Sequence, residues 1–182
     1  MLTLLEPRHA DALEAMLTEF DPDPGELHGY FCPRNWPIDR IVDELDAQSR
    51  GERLPEDWVP STTWFWEADD VLHGVLNVRH HLTPGLRQLG GHIGYCVAPS
   101  RRGRGVATAM LSAALRKCPH LGIGRALLTV NSDNLASQRV IERNGGILER
   151  EGPGPDRVAQ RWYWIDSGGT RVDRGATGCV AR

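Results

Sequence analysis

The chain has 182 residues, enough for one domain with a sizeable core, and its 40% hydrophobic and 25% charged content is that of a soluble globular protein. Twenty-one Lys and Arg against 24 Asp and Glu leave a net charge of -3, which argues against a non-specific nucleic-acid binder. There is no apolar run long enough for a membrane span, and Glu6, Arg8 and His9 interrupt any signal-peptide core, so no nucleic-acid partner, no membrane and a cytoplasmic location are expected.

Residues 2–5 read as a short strand. Pro7 opens a helix in which Ala10, Leu13, Leu17 and Phe20 share one side. Segment 21–37 holds four prolines, two glycines and three aromatics, and reads as an ordered loop because Tyr30, Phe31 and Trp36 need a surface to pack on. A second helix over 38–48 turns Ile41, Val42 and Leu45 inward. After a loop over 51–61, residues 62–67 are a β-branched and aromatic strand, Ala68 to Asp70 its turn, and 71–78 its hairpin partner. The stretch 81–91 is irregular, with a turn at Pro84 and Gly85. A strand over 93–97 ends at Pro99, a helix runs over 105–117, and 125–130 is a strongly apolar strand. A helix over 134–143 stops at Asn144, Gly145 and Gly146. Residues 147–149 and 160–165 are the last strands, paired with each other.

This order predicts an α/β (α+β) fold: a mixed, mostly antiparallel central sheet with helices on both faces. The strands flanking helix 105–117 are expected to pair in parallel. One domain spans 1–165, followed by a polar, Gly-rich tail over 166–182 that is expected to be flexible. Cys32, Cys96, Cys118 and Cys179 show no CxxC spacing, so reduced thiols and no metal site are expected.

The most informative segment is Pro99-Ser100-Arg101-Arg102-Gly103-Arg104-Gly105-Val106-Ala107. A strand ends, three arginines and two glycines follow, and an amphipathic helix begins. Gly103 and Gly105 let the main chain turn tightly beside a ligand. The first helical amides have no intrahelical partner, and the dipole favours an anion there. The segment is neither a Walker loop nor a GxGxxG fingerprint. A basic loop capping a helix is the plain alternative.

With these residues the chain resembles the GCN5-related N-acetyltransferase (GNAT) superfamily, whose acyl-CoA signature is Q/R-x-x-G-x-G/A. The signature is read with Arg101 or Arg102 in the lead and Gly103 and Gly105 as its glycines. Asn131 to Ser137, then a helix, then Asn144-Gly145-Gly146, is similar to the family's N-x-x-A/S helix, with Asn134 as the matching asparagine. The resemblance covers about 2–165. The passage from Gly90 to Tyr95 looks like one bacterial branch. It implies acetyl-CoA as co-substrate, with the amides of 102–106 on its pyrophosphate. Tyr95, Cys96, Val97, Arg101, Arg102, Gly103, Arg104, Gly105, Val106, Ala107, Asn134 and Ser137 are the implied cofactor contacts. A tyrosine sits seven residues after the asparagine in many members, as general acid; here Ile141 stands there, leaving Ser137, Tyr95 or water. Dimerisation is common in the superfamily and is expected with it.

Amine acetylation needs a neutral nitrogen and donors for a developing oxyanion. A backbone amide near Cys96 or Val97 would supply the donor. His92, on the strand before the loop, is the first base candidate, with a hydrogen bond to a neighbouring loop as its structural alternative. His80 and Glu67 are further candidates for base, relay or ammonium binding, each with an ordinary structural alternative. Tyr30, Phe31 and Trp36 are candidates for the acceptor wall. The leading expectation is acetyl transfer to a primary amine of a small molecule by direct attack in a ternary complex. A protein or peptide acceptor is the alternative within the same chemistry. A non-catalytic acyl-CoA-binding module and a nucleotide-binding protein are the competing classes.

Overall fold

The computed structural model describes residues 1–155 and 157–168. Its elements are β1 (Leu2–Thr3), α1 (Ala10–Thr18), α2 (Ile38–Arg50), β2 (Ser61–Ala68), β3 (Val71–Arg79), α3 (Pro84–Gln88), β4 (Ile93–Val97), α4 (Val106–Lys117), β5 (Arg125–Asn131), α5 (Leu135–Arg143), β6 (Ile147–Pro153) and β7 (Ala159–Asp166). They form two sheets, ordered β1-β2-β3-β4 and β5-β7-β6, with every ladder antiparallel.

The β2–β3 hairpin turns on Asp69 and Asp70, whose φ angles of 52° and 58° are those of a two-residue turn that matches strand twist. That turn fixes Ala68 opposite Val71, and the register then sorts the side chains of β3. Leu76 and Val78 point to a core shared with α4, β5 and β7; Val75 points to a second core under α1 and α2. Slipping the register by one residue would exchange the two sets, so the two cores together lock it. Helices therefore cover both faces, as the alternation of elements predicts. Full burial of side chains such as Phe65, Leu76 and Leu111 contributes about 1.5–3 kcal/mol each.

Two expectations are corrected. The stretch 81–91 contains α3, a short helix whose Thr83 side chain accepts from the Leu86 amide. More consequentially, β4 and β5 form no parallel ladder. The residues just before β4 bond to β5: the His92 amide donates to Leu127 O (2.7 Å), the Leu127 amide to His92 Nδ1 (2.9 Å) and the Gly90 amide to Thr129 Oγ1 (2.8 Å). Gly91, at φ +63°, makes the approach sterically feasible, since a Cβ there would lie 2.4 Å from Leu127 O. Beyond these contacts the strands part.

At the other end of the chain, Ser167, placed in the tail by the sequence reading, is buried, and its hydroxyl donates to Ile123 O. The rest of the expected tail, 169–182, lies outside the described residues, as does Cys179. Cys32, Cys96 and Cys118 are buried and form no disulfide. Among the described residues, no helix is long and apolar enough to cross a membrane.

Candidate active site

The parting of β4 from β5 leaves a cleft with an unpaired strand edge. The Ala98 amide donates to His73 O on β3, so by alternation the Cys96 amide also faces β3. The Tyr95 and Val97 amides then face the open side, and of the two positions expected to supply a backbone donor, Val97 is the one that faces the cleft.

Two cavities meet there. One, of about 390 Å³, lies between Ile93, Gly94 and Tyr95 on β4 and Leu128 to Asn131 on β5, roofed by Leu27, His28, Gly29 and Phe31. The other, of about 640 Å³, runs from Tyr95, Cys96 and Val97 along the Arg/Gly loop to the outer side of α5. His28, Tyr95, Asn134 and Ser137 line both. No Asp or Glu lines either cavity among the described residues.

The larger cavity is built for an anion. Gly103 and Gly105 have φ of +72° and +78°, and the space where a Cβ would stand on either is open. No N–H from Gly103 to Thr108 finds an acceptor among the described residues, and Gly105 begins α4. The Arg102 amide, expected in the same cradle, is already spent on Pro99 O (3.3 Å). The signature is therefore better read from Arg102, with Gly105 as its glycine and Ala107 as its last residue. Arg101 lines the cavity with a buried Nε that has no partner, and Arg139 and Arg143 of α5 face it from across. The loop is held in place from outside by Glu19, which accepts from the amide and hydroxyl of Ser100. All the cofactor contacts implied by the resemblance line this cavity except Arg104. Asn134 does so while capping α5, its Oδ1 accepting from the Ser137 amide (3.0 Å). These donors and cations fit acetyl-CoA.

The structure separates the catalytic candidates. Tyr95 and Ser137 stand where the two cavities meet. The buried Tyr95 hydroxyl makes no hydrogen bond of good geometry; burial pushes its pKa up to about 12, against a smaller pull from the Ser137 hydroxyl. Ile141, in the place of the usual tyrosine, is core, 1% exposed, with Gly146 packed against it.

His92, His80 and Glu67 do not reach the cleft. The Nδ1 lone pair of His92 is occupied by the Leu127 amide, and burial, with Arg87 and Arg79 nearby, pushes its pKa down to about 4. With its lone pair committed in this way, it links the two sheets. His80 pairs with the Thr62 hydroxyl at 2.9 Å, and burial also lowers its pKa. Glu67 is held by Arg8 through two hydrogen bonds (2.7 and 3.2 Å), which keep its carboxyl below the usual range, with His9 beside it. It ties the N-terminal segment to β2, which β3 separates from β4.

Of the acceptor-wall candidates only Phe31 lines the smaller cavity. Tyr30 is core, edge-on to Phe65, with its phenol pKa raised by burial. Trp36 lies under the Arg40 guanidinium on another surface. Sequence reasoning missed His28, Arg79, Arg139 and Arg143. The signal for His28 was the neighbouring glycine: Gly29, at φ +85°, packs on Gly94 so closely that a Cβ would come within 2.8 Å of Gly94 O, which hangs His28 over the cleft. Among the described residues, no group of three or more His, Cys, Asp or Glu could hold a metal ion.

A strand edge opened beside an anion-binding helix start is the architecture of an acyl-CoA-dependent transferase. A family model described as the acetyltransferase (GNAT) domain matches residues 1–147, and the chain belongs to that family. It is an acetyl-CoA-dependent acetyltransferase. No curated protein matches the sequence. Among solved structures, Mycobacterium smegmatis RimJ in complex with CoA-disulfide is 24% identical, covering 91% of this chain and 80% of its own at a TM-score of 0.65. A Salmonella typhimurium acetyltransferase described as modifying the N-terminal serine of ribosomal protein L7/L12 is 18% identical over 91% and 93%, at 0.63. The ribosomal L7/L12 α-N-protein acetyltransferase RimL is 18% identical over 91% and 88%, at 0.65. The acceptor described for these last two is a protein N-terminus. That finding overturns the small-molecule amine expected from the sequence.

Proposed function

We propose that the protein acetylates the α-amine at the N-terminus of a peptide or protein, by direct attack in the cleft between β4 and β5. The observation that carries this reading is the absence of a carboxylate from both cavities among their described lining residues. An alkyl or lysine amine with a pKa of about 10.4 is about one part in a thousand neutral near pH 7.4, and needs a strong base close by. A peptide α-amine with a pKa of about 7.7–8.0 is already about a fifth to a third neutral, and a cleft with no carboxylate suits it. The descriptions of two similar structures, quoted above, point the same way.

Acetyl-CoA, when bound, supplies the thioester carbon that accepts the amine. The chain's own residues supply the rest. The amides of 103–108, with Arg101, Arg139 and Arg143, would hold the pyrophosphate end. The Tyr95 and Val97 amides at the open edge are donors for an oxygen that gains negative charge. The Tyr95 hydroxyl keeps its proton throughout the neutral range and, with Ser137, is placed as a proton donor.

Thiol release measured against pH tests this reading. With lysine-free peptides, kcat/KM rises with an apparent pKa that follows the acceptor's own α-amine when the N-terminal residue is changed. An apparent pKa near 6.5 that stays fixed when the acceptor changes would assign the limiting base to the enzyme and refute the reading.

A further inference from the structure

The smaller cavity has a cation whose charge nothing in the reaction uses. Arg79, the last residue of β3, projects to the rim where the cavity adjoins another of about 330 Å³; Arg79 and Phe31 line both. Its Nη1 donates to Gly90 O (3.3 Å) and Gly91 O (3.2 Å), which fixes the guanidinium over Gly94, 3.9 Å from where a Cβ would stand. No described carboxylate forms an ion pair with it. Glu56 and Asp57 line the adjoining cavity without pairing to Arg79. Two carbonyls and the Phe31 ring, 5.8 Å from the guanidinium carbon, offset only part of the desolvation of this half-buried cation, and burial holds its pKa down. The natural complement is a carboxylate brought in by a ligand, bound two-pronged by the guanidinium.

The position sets which carboxylate. Gly94, beneath the guanidinium, precedes Tyr95, where the two main cavities meet. An extended peptide advances about 3.3–3.6 Å per residue, so a chain whose α-amine lies at Tyr95 passes Arg79 within its first three residues. The adjoining cavity gives the chain room to continue. Its rim carries Phe31 and Trp58, edge to face at 5.3 Å and 41% and 42% exposed, and its floor carries Asn77, whose Oδ1 is buried without a partner. The acidic rim of Glu56 and Asp57 disfavours a carboxylate further along.

We propose that Arg79 is a specificity residue that selects acceptors with an acidic side chain at the second or third position. This rests on the reading of the acceptor as a peptide N-terminus. The test is kcat/KM for otherwise neutral peptides that differ only by Glu or Gln at positions 2 and 3. Wild type prefers Glu by about tenfold or more at one of these positions. The preference shrinks in high salt, and the Glu/Gln ratio falls to about 1 in R79M whatever the absolute rate. R79K retains part of it, because a point charge replaces a fork. Equal kcat/KM for Glu and Gln peptides in the wild type overturns the proposal without recourse to any variant, and so does a ratio that survives in R79M. Failure to acetylate any peptide, with acetyl-CoA still bound, refutes the peptide reading itself and this proposal with it.

Discussion

What a histidine can do depends on what its ring nitrogens already hold. His92 immediately precedes the strand that borders the cleft, and by sequence position it is a base candidate. Its Nδ1 accepts the Leu127 amide, and protonation would replace that hydrogen bond with a clash of donors inside a buried site. A pKa held near 4 in the folded chain against 6.5 for the free side chain has a definite sign. The unfolded chain takes up a proton below about pH 6.5 that the folded chain refuses until about pH 4. The contribution of His92 to stability is therefore complete above 6.5 and is lost as pH falls through that window, on the order of 3 kcal/mol in all. His92→Asn keeps an acceptor at the Nδ1 position and cannot titrate. Urea midpoints measured from pH 7 to pH 4 fall less steeply for H92N than for wild type. Identical slopes would mean that His92 is not the titrating group.

At the scale of the element, the start of α4 is defined by backbone conformation more than by its arginines. Gly105→Val forces a β-branched residue to φ +78° and fills the open space beside the unpaired amides. Gly122→Val imposes a comparable strain at φ +75°, past the far end of α4. Calorimetric titration with acetyl-CoA is expected to show about tenfold or greater weakening in G105V, which corresponds to about 1.4 kcal/mol, and little change in G122V. Equal weakening in both would place the effect in general destabilisation rather than in the cradle.

The same contrast explains what could be read in the sequence. The cofactor side is written locally: glycines needing positive φ, a helix start and a run of cations lie within ten residues. The strand over Ile93–Val97 was likewise legible to the residue, because Pro99 and the glycines bracket an apolar run. The smaller cavity is assembled from residues such as His28, Arg79, Tyr95 and Ser137, which only the tertiary fold brings together. The segment before β4 is joined to β5 by long-range hydrogen bonds at Gly90 and His92, and no periodicity encodes those. The extension of β6 to Pro153 was missed because Glu149, Arg150 and Glu151 show no apolar alternation; the ladder to β7 holds that exposed strand in place.

At the scale of the whole molecule, two sheets are joined by hydrogen bonds around His92 and then diverge, and two cavities meet along the divergence. In the proposed reading the acetyl donor and the acceptor amine would lie on either side of Tyr95 and Ser137, with no carboxylate among the described lining residues to deprotonate a strongly basic amine. The most direct test is to offer the enzyme a peptide that carries both a free α-amine and an internal lysine, and to locate the added acetyl group by tandem mass spectrometry. The account predicts acetylation at the α-nitrogen alone. Acetyl found on the lysine ε-nitrogen, with the α-amine left free, would contradict it.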